Sequence, residues 1–143
     1  MRDAFIVSLN IFKNKNLGKA VESLAPGFLE FFADLHNVSE TKLVPVFRSM
    51  MKVRLDQLKT IELDFNPGNI VYRQVPNGKV FALFAYITHA VMVDDEIIDD
   101  DSVSFVFKAN ERWYFVDLEN PINIDAIKAI YPLFKDIDFN IQQ

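Results

Sequence analysis

The stretch Lys79–Leu118, KVFALFAYITHAVMVDDEIIDDDSVSFVFKANERWYFVDL, decides how the rest of the chain is read. It reads as three antiparallel strands rich in apolar and aromatic residues, joined by one very acidic turn and one short polar one. Between Lys79 and Val93 both alternating sets are apolar: Phe81, Leu83, Ile87 and Val91 on one side, Val80, Phe84, Tyr86 and Met92 on the other. A strand that long and apolar on both faces belongs at the centre of a bent sheet, covered on both sides. Ser102–Phe107 and Trp113–Leu118 then pair across Asn110-Glu111-Arg112.

Working back from this stretch, the period stays at two as far as Thr60. Ile61, Leu63 and Phe65 alternate with Glu62 and Asp64, and Asn66-Pro67-Gly68 closes the strand. Ile70, Tyr72 and Val75 belong to the next, which ends at Pro76-Asn77-Gly78. Asn-Gly between two apolar runs is a hairpin signal, because both residues tolerate positive φ.

Before Thr60 the period is helical. Residues 3–13 place Phe5, Leu9 and Phe12 at helical spacing, with Ile6 and Val7 widening the face, until Asn14-Lys15-Asn16 interrupts. A second helix over 17–24 buries Leu17, Ala20, Val21 and Leu24, and Pro26-Gly27 ends it. Periodicity does not settle the cluster Phe28, Leu29, Phe31 and Phe32 that follows. Ser39 then N-caps a helix over 40–58. Leu43, Val46, Phe47, Met50, Met51, Leu55 and Leu58 form its one broad core face, opposite Lys42, Arg48, Lys52, Asp56 and Lys59. After the closing strand, Asp125 caps a short helix with Ile127, Ile130, Tyr131 and Phe134 inward, and Pro132 ends it near Tyr131.

The expectation is a single α+β domain over 1–143: a helical part (1–58), an antiparallel sheet (60–118) and a C-terminal extension (119–143). Half of its residues are hydrophobic and 14 are Phe, so ring packing should dominate the core. The net charge of −5 hides a local effect, since Asp94, Asp95, Glu96, Asp99, Asp100 and Asp101 supply six of the 20 carboxylates against 15 basic residues. The rest of the chain is nearly neutral. No basic stripe suits nucleic acid, and the longest nearly uncharged run, Val80–Val93, is too short to cross a bilayer as a helix. The absence of cysteine excludes disulfides, thiolate nucleophiles and Cys-ligated metal. Nothing signals a cofactor. The N-terminus reads as an amphipathic helix rather than a signal peptide. Cytoplasmic placement follows as the expectation, with a periplasmic mature chain as the alternative.

Three features carry a likeness. An early helix runs into Asn14-Lys15-Asn16-Leu17, followed by Ala20, Leu24 and Pro26, and Phe105-Val106-Phe107-Lys108 leads through a polar turn into Trp113-Tyr114-Phe115-Val116-Asp117. Over about residues 4–118 the chain resembles the nuclear-transport-factor-2-like (SnoaL-like, cystatin-like cone) superfamily. The resemblance implies N-terminal helices packed into a strongly bent antiparallel sheet, and a pocket in its concave face. It departs from the family in the 25 residues after Leu118 and in the length of the 40–58 helix. The family's enzymatic motifs have no match here, so no catalytic residue is carried over, and fold alone fixes no activity.

Candidate sites follow from residue chemistry. His89, in the long strand, is a candidate general base if it faces the pocket, with Asp64 or Asp117 within possible reach. The bland alternative is a histidine satisfied inside the sheet. Tyr72, Tyr86 and Trp113 are candidate pocket residues beside His89, or simply core. His36 reads as a surface or helix-end residue. The run Asp94, Asp95, Glu96, Asp99, Asp100 and Asp101 does not match the spacing of a calcium loop. It reads as a solvated hairpin tip or as an acidic docking surface for a basic partner. The first functional expectation is a non-catalytic ligand-binding or protein-interaction module, dimeric through its sheet, taking a small apolar ligand or a basic protein. An isomerase- or dehydratase-type enzyme and an inhibitor or immunity-type protein are the alternatives.

Overall fold

The computed structural model describes residues 1–140, leaving aside the side chains of Arg2, Leu9 and Phe12. The fold class is α+β: N-terminal helices, then a bent antiparallel sheet, then a short C-terminal helix. In chain order the elements are α1 (Arg2–Lys13), α2 (Leu17–Glu22), α3 (Phe28–Leu35), α4 (Glu40–Asp56), β1 (Leu58–Asp64), β2 (Val71–Gln74), β3 (Val80–Met92), β4 (Ile97–Ala109), β5 (Arg112–Asp117) and α5 (Pro121–Ile130). The sheet order is β1-β3-β4-β5, with β2 also paired to β3. Two compact units emerge, one of Met1–Glu62 with His89–Asp99, the other of Leu63–Thr88 with the chain from Asp100 onwards.

In the first unit the polar break after α1 is a positive-φ turn at Lys15 (φ 51°). Asn16 then caps α2, its Oδ1 accepting from Lys19 N at 3.2 Å. Phe5 and Ile11 of α1 are buried, whereas Ile6 and Val7 face solvent rather than widening the core face. The expected Leu9 and Phe12 positions are helical, and their side chains lie outside the described residues. Gly27 takes φ 87°, which redirects the chain into α3. The ambiguous phenylalanine cluster is therefore a helix, with Phe28 buried and Phe32 in edge contact with Phe28 and Phe31. Ser39 occupies the N-cap of α4 without a side-chain bond to the helix.

The single broad core face expected of α4 divides. Leu43, Phe47, Met51 and Leu55 turn inward on the side that meets α2 and α3, and Val46 and Met50 do not. At about 100° per residue Val46 lies opposite Leu55 on the helix, with Met50 and Val53 within about 40° of it.

In the second unit the core is a set of rings. Phe105 is fully buried, with centroids 5.3 Å from Phe81, 5.3 Å from Phe107, 5.0 Å from Phe134 and 5.1 Å from Phe139. Register explains the grouping: Phe105 lies opposite Val116 and Phe107 opposite Tyr114, so these four share one face of the sheet. The two-sided reading of β3 holds here, since Phe81, Ala82, Leu83 and Phe84 are all buried. Asn110 and Glu111 both take positive φ, at 48° and 62°, closing β4 onto β5 as a two-residue turn. Pro76-Asn77-Gly78 likewise turns β2 into β3, with Gly78 at φ 85°.

Two expectations are corrected. Asn120, not Asp125, caps α5, its Oδ1 accepting from Ile122 N at 3.2 Å with Pro121 in the first turn. Pro121 explains the earlier start, since its fixed φ suits the first helical position. Second, β4 begins at Ile97 rather than Ser102, so Asp99, Asp100 and Asp101 are strand residues and not part of the turn. Solvated carboxylates at a hairpin end oppose pairing only weakly, and Ile97 and Ile98 favour it.

Candidate functional site

The β3–β4 hairpin end, within the first unit, gathers most of the unusual chemistry. Its turn closes with Asp95 N donating to Met92 O (2.9 Å) and Met92 N to Glu96 O (2.8 Å), Asp95 holding φ 66°. This is a three-residue loop with its last residue left-handed, a form that Asp tolerates. Asp94 Oδ1 accepts from Glu96 N at 3.1 Å, which stiffens the loop from inside. At the first loop residue, Val93 N donates to Gln57 O at 2.9 Å, tying the turn to the C-terminal end of α4.

Two of the carboxylates are held. Lys59 Nζ lies 2.7 Å from Asp95 Oδ1, and His89 Nδ1 lies 2.7 Å from Asp99 Oδ1. Neither of the expected partners, Asp64 or Asp117, takes that place; the hairpin itself supplies the acid. Asp94 and Glu96 make no ion pair among the described residues. Between these charges stand large apolar side chains in the open: Ile97 is 71% exposed and Val93 61%, and Ile98 is exposed as well. An apolar centre with an acidic rim suits recognition of a surface with the opposite pattern.

The other expected site residues fall in the second unit. Tyr72 lies opposite Ala82, and Trp113 opposite Lys108. By strand alternation Tyr72, Tyr86 and Trp113 share the face of Phe84 and Phe115, whose rings meet at 6.3 Å. Tyr72 is exposed there, Trp113 and Tyr86 half-buried. His89 falls in the opposite alternating set. Tyr86 anchors a small polar group: Ser104, buried, donates to its hydroxyl at 3.4 Å. Burial pushes the Tyr86 phenol above its ordinary range, and the negative charge of Asp117 adds to the rise against the Ser104 and Ser102 bonds. Asp100 and Asp101 also belong to this unit. Partial burial raises the Glu119 carboxyl, opposed by a Ser102 bond, with Asp117, Asp100 and Asp101 adding to the rise.

The described residues contain no group of three or more His, Asp or Glu side chains arranged to hold a metal ion, and no helix long and apolar enough to cross a membrane. His36 sits at the C-terminal cap of α3. The apolar members of the hairpin, Val93, Ile97 and Ile98, were not among the expected site residues. Their signal in the sequence is their position inside the acidic run, where an apolar side chain has nothing local to bury it. Comparison with protein families, with curated proteins and with solved structures returned no match.

Proposed function

We propose that this chain is a protein-interaction module of the nuclear-transport-factor-2-like type, which binds through the β3–β4 hairpin end. The observation that carries the reading is Ile97, 71% exposed on the same hairpin end as exposed Val93 and as Asp94 and Glu96, whose carboxylates make no ion pair among the described residues. Ile97 favours strand pairing, but a β-branched polar residue would do so too, and exposure of Val93, Ile97 and Ile98 together leaves an apolar group that water solvates poorly. It can anchor in a partner's apolar pocket while the carboxylates select for basic neighbours and speed encounter. The order of helices, sheet and short helix supports the family reading. His89 serves this role by bracing the hairpin through Asp99 and needs no catalytic task.

The test is calorimetric titration with an amphipathic Lys/Leu peptide, alongside a Lys/Ser peptide of equal charge. Saturable binding by the first, weakened at least tenfold by Ile97→Ser and by added salt, is the expected result. Equal binding of both peptides, or no change on Ile97→Ser, would sink the reading.

A further inference from the structure

The stretch after Leu118 lies beyond the residues that carry the family likeness, and it builds a cleft within the second unit. Pro132 cannot continue α5, and the chain turns there. Lys135 N donates to Pro132 O at 3.1 Å and Ile137 N to Phe134 O at 3.2 Å. The segment that follows is pinned twice. Phe139 is buried with its ring 5.1 Å from that of Phe105, and Arg73 of β2 donates to Asp138 O at 3.2 Å. Between this segment and α5 is left a cavity of about 380 Å³. That is at the small end of the roughly 300–1,000 Å³ of ligand sites. Its lining includes none of Tyr72, Tyr86, His89 and Trp113.

Burial sorts the lining. Phe139 is buried, and Ile124 and Ile137 are half-buried, whereas Lys135, Asp136 and Asp138 are exposed. Ile124 and Lys128, four residues apart, share one face of α5. Lys128 is half-buried, with its Nζ 5.7 Å from the centre of the Phe139 ring. A ring face attracts an ammonium without neutralising it or using up its N–H donors. Lys128 makes no ion pair among the described residues, and neither do Lys135 and Asp136. Asp138 is differently placed: its Oδ1 accepts from Asn140 N at 3.0 Å and from Asn140 Nδ2 at 2.7 Å, which turns that carboxylate to its own loop. The four charges cancel formally, but the ammonium beside the apolar residues is the one left without an anionic partner.

We propose that this cleft binds a small carboxylic acid in its ionised form. The apolar body of the acid lies on Ile124, Ile137 and Phe139, and its carboxylate accepts from Lys128, with Lys135 adding attraction. A charge-assisted bond to a half-buried ammonium is stronger than one in open water, so the acid is preferred to its alcohol. A dianion gains no second half-buried cation and meets the charges of Asp136 and Asp138, so a monoanion is preferred to a phosphate ester. The site is separate from the β3–β4 hairpin end and does not depend on the interaction reading.

Titration of the isotope-labelled full chain with phenylacetate, followed by amide chemical shifts, tests it. Saturable shifts at Ile124, Lys128 and residues 135–140 are expected. Acetate, phenylethanol and phenyl phosphate should each bind at least tenfold more weakly. Lys128→Met keeps the stem over the Phe139 ring and removes only the charge, and should weaken phenylacetate at least tenfold. Lys135→Met, at an exposed position, should weaken it severalfold, and carries the test if Lys128→Met disturbs the fold. Asp136→Asn should act in the opposite direction, tightening phenylacetate and narrowing the gap to phenyl phosphate. Ile97→Ser, at the hairpin, should change nothing here. Absence of saturation, shifts centred elsewhere, phenylethanol binding as tightly as phenylacetate, or indifference to loss of both lysine charges overturns the proposal.

Discussion

His89 Nδ1 donates to Asp99 Oδ1 across 2.7 Å, joining β3 to β4 just below the acidic turn. Both side chains are partly open to water, at 44% and 63% exposure. Solvent screens such a pair and rotamer entropy offsets part of its attraction. A double-mutant cycle with His89→Gln and Asp99→Asn, followed by urea unfolding, should give a coupling energy of about 0.2–1 kcal/mol. A coupling several times larger would mean that the pair is shielded from water and would reopen a chemical role for His89.

The ring cluster of the second unit should dominate stability. Phe105 is fully buried and touches the rings of Phe81, Phe107, Phe134 and Phe139. Truncation to alanine removes its transfer free energy and leaves a cavity that four rings cannot fill without leaving their rotamers. Phe105→Ala is expected to cost about 3–5 kcal/mol, read as a lowered urea midpoint. Phe31→Ala, at a half-buried position of α3, should cost clearly less.

Most of the fold was legible because period two and period 3.6 leave separate traces, and Asn77-Gly78 and Asn110-Glu111 mark their turns by backbone need. What was not legible depends on tertiary choice. Leu58, expected on α4, opens β1 instead, and the six remaining apolar residues span too wide an arc to be buried against two helices, so that sequence cannot say that Val46 and Met50 lose. The partner of His89 depends on hairpin register, which follows from the left-handed Asp95 and the three-residue loop. The acidic run was readable as a surface, but the weight of Ile97 within it was not, since its exposure depends on the strand beginning at Ile97 and carrying it beyond the cover of the core. Asn120 is readable as a cap from Asn-Pro ahead of an apolar run, and it starts the helix before Asp125 can.

The β2–β3 turn gives a backbone prediction. Gly78 N donates to Val75 O at 2.9 Å while Gly78 itself sits at φ 85°. A β-carbon there meets no close obstacle, the nearest atom being Gln74 Nε2 at 3.7 Å, so the penalty is conformational rather than steric contact. Gly78→Ala should lower stability by about 1–2 kcal/mol, and Gly78→Asn by less, because Asn visits this region more readily. Equal losses for the two would point to packing instead of φ.

Tyr131 sets an alkaline limit. Burial, with Tyr114 adding, pushes its phenol from the ordinary 10.0 up to about 12, and its ring lies 4.8 Å from Phe107. The folded state therefore holds the proton more tightly than the unfolded chain. Below pH 10 both states are protonated and the full stability is present. From about pH 10 to 12 the unfolded state ionises first, so stability falls with rising pH, and above that the fall ceases. Burial raises the Tyr86 phenol in the same direction. Urea midpoints measured against pH should be level up to about pH 10 and then decline. Tyr131→Phe has no proton to lose, so it should match wild type at neutral pH and decline less steeply above pH 10. Parallel declines in the two proteins would show that the phenol is as accessible to water when folded as when unfolded.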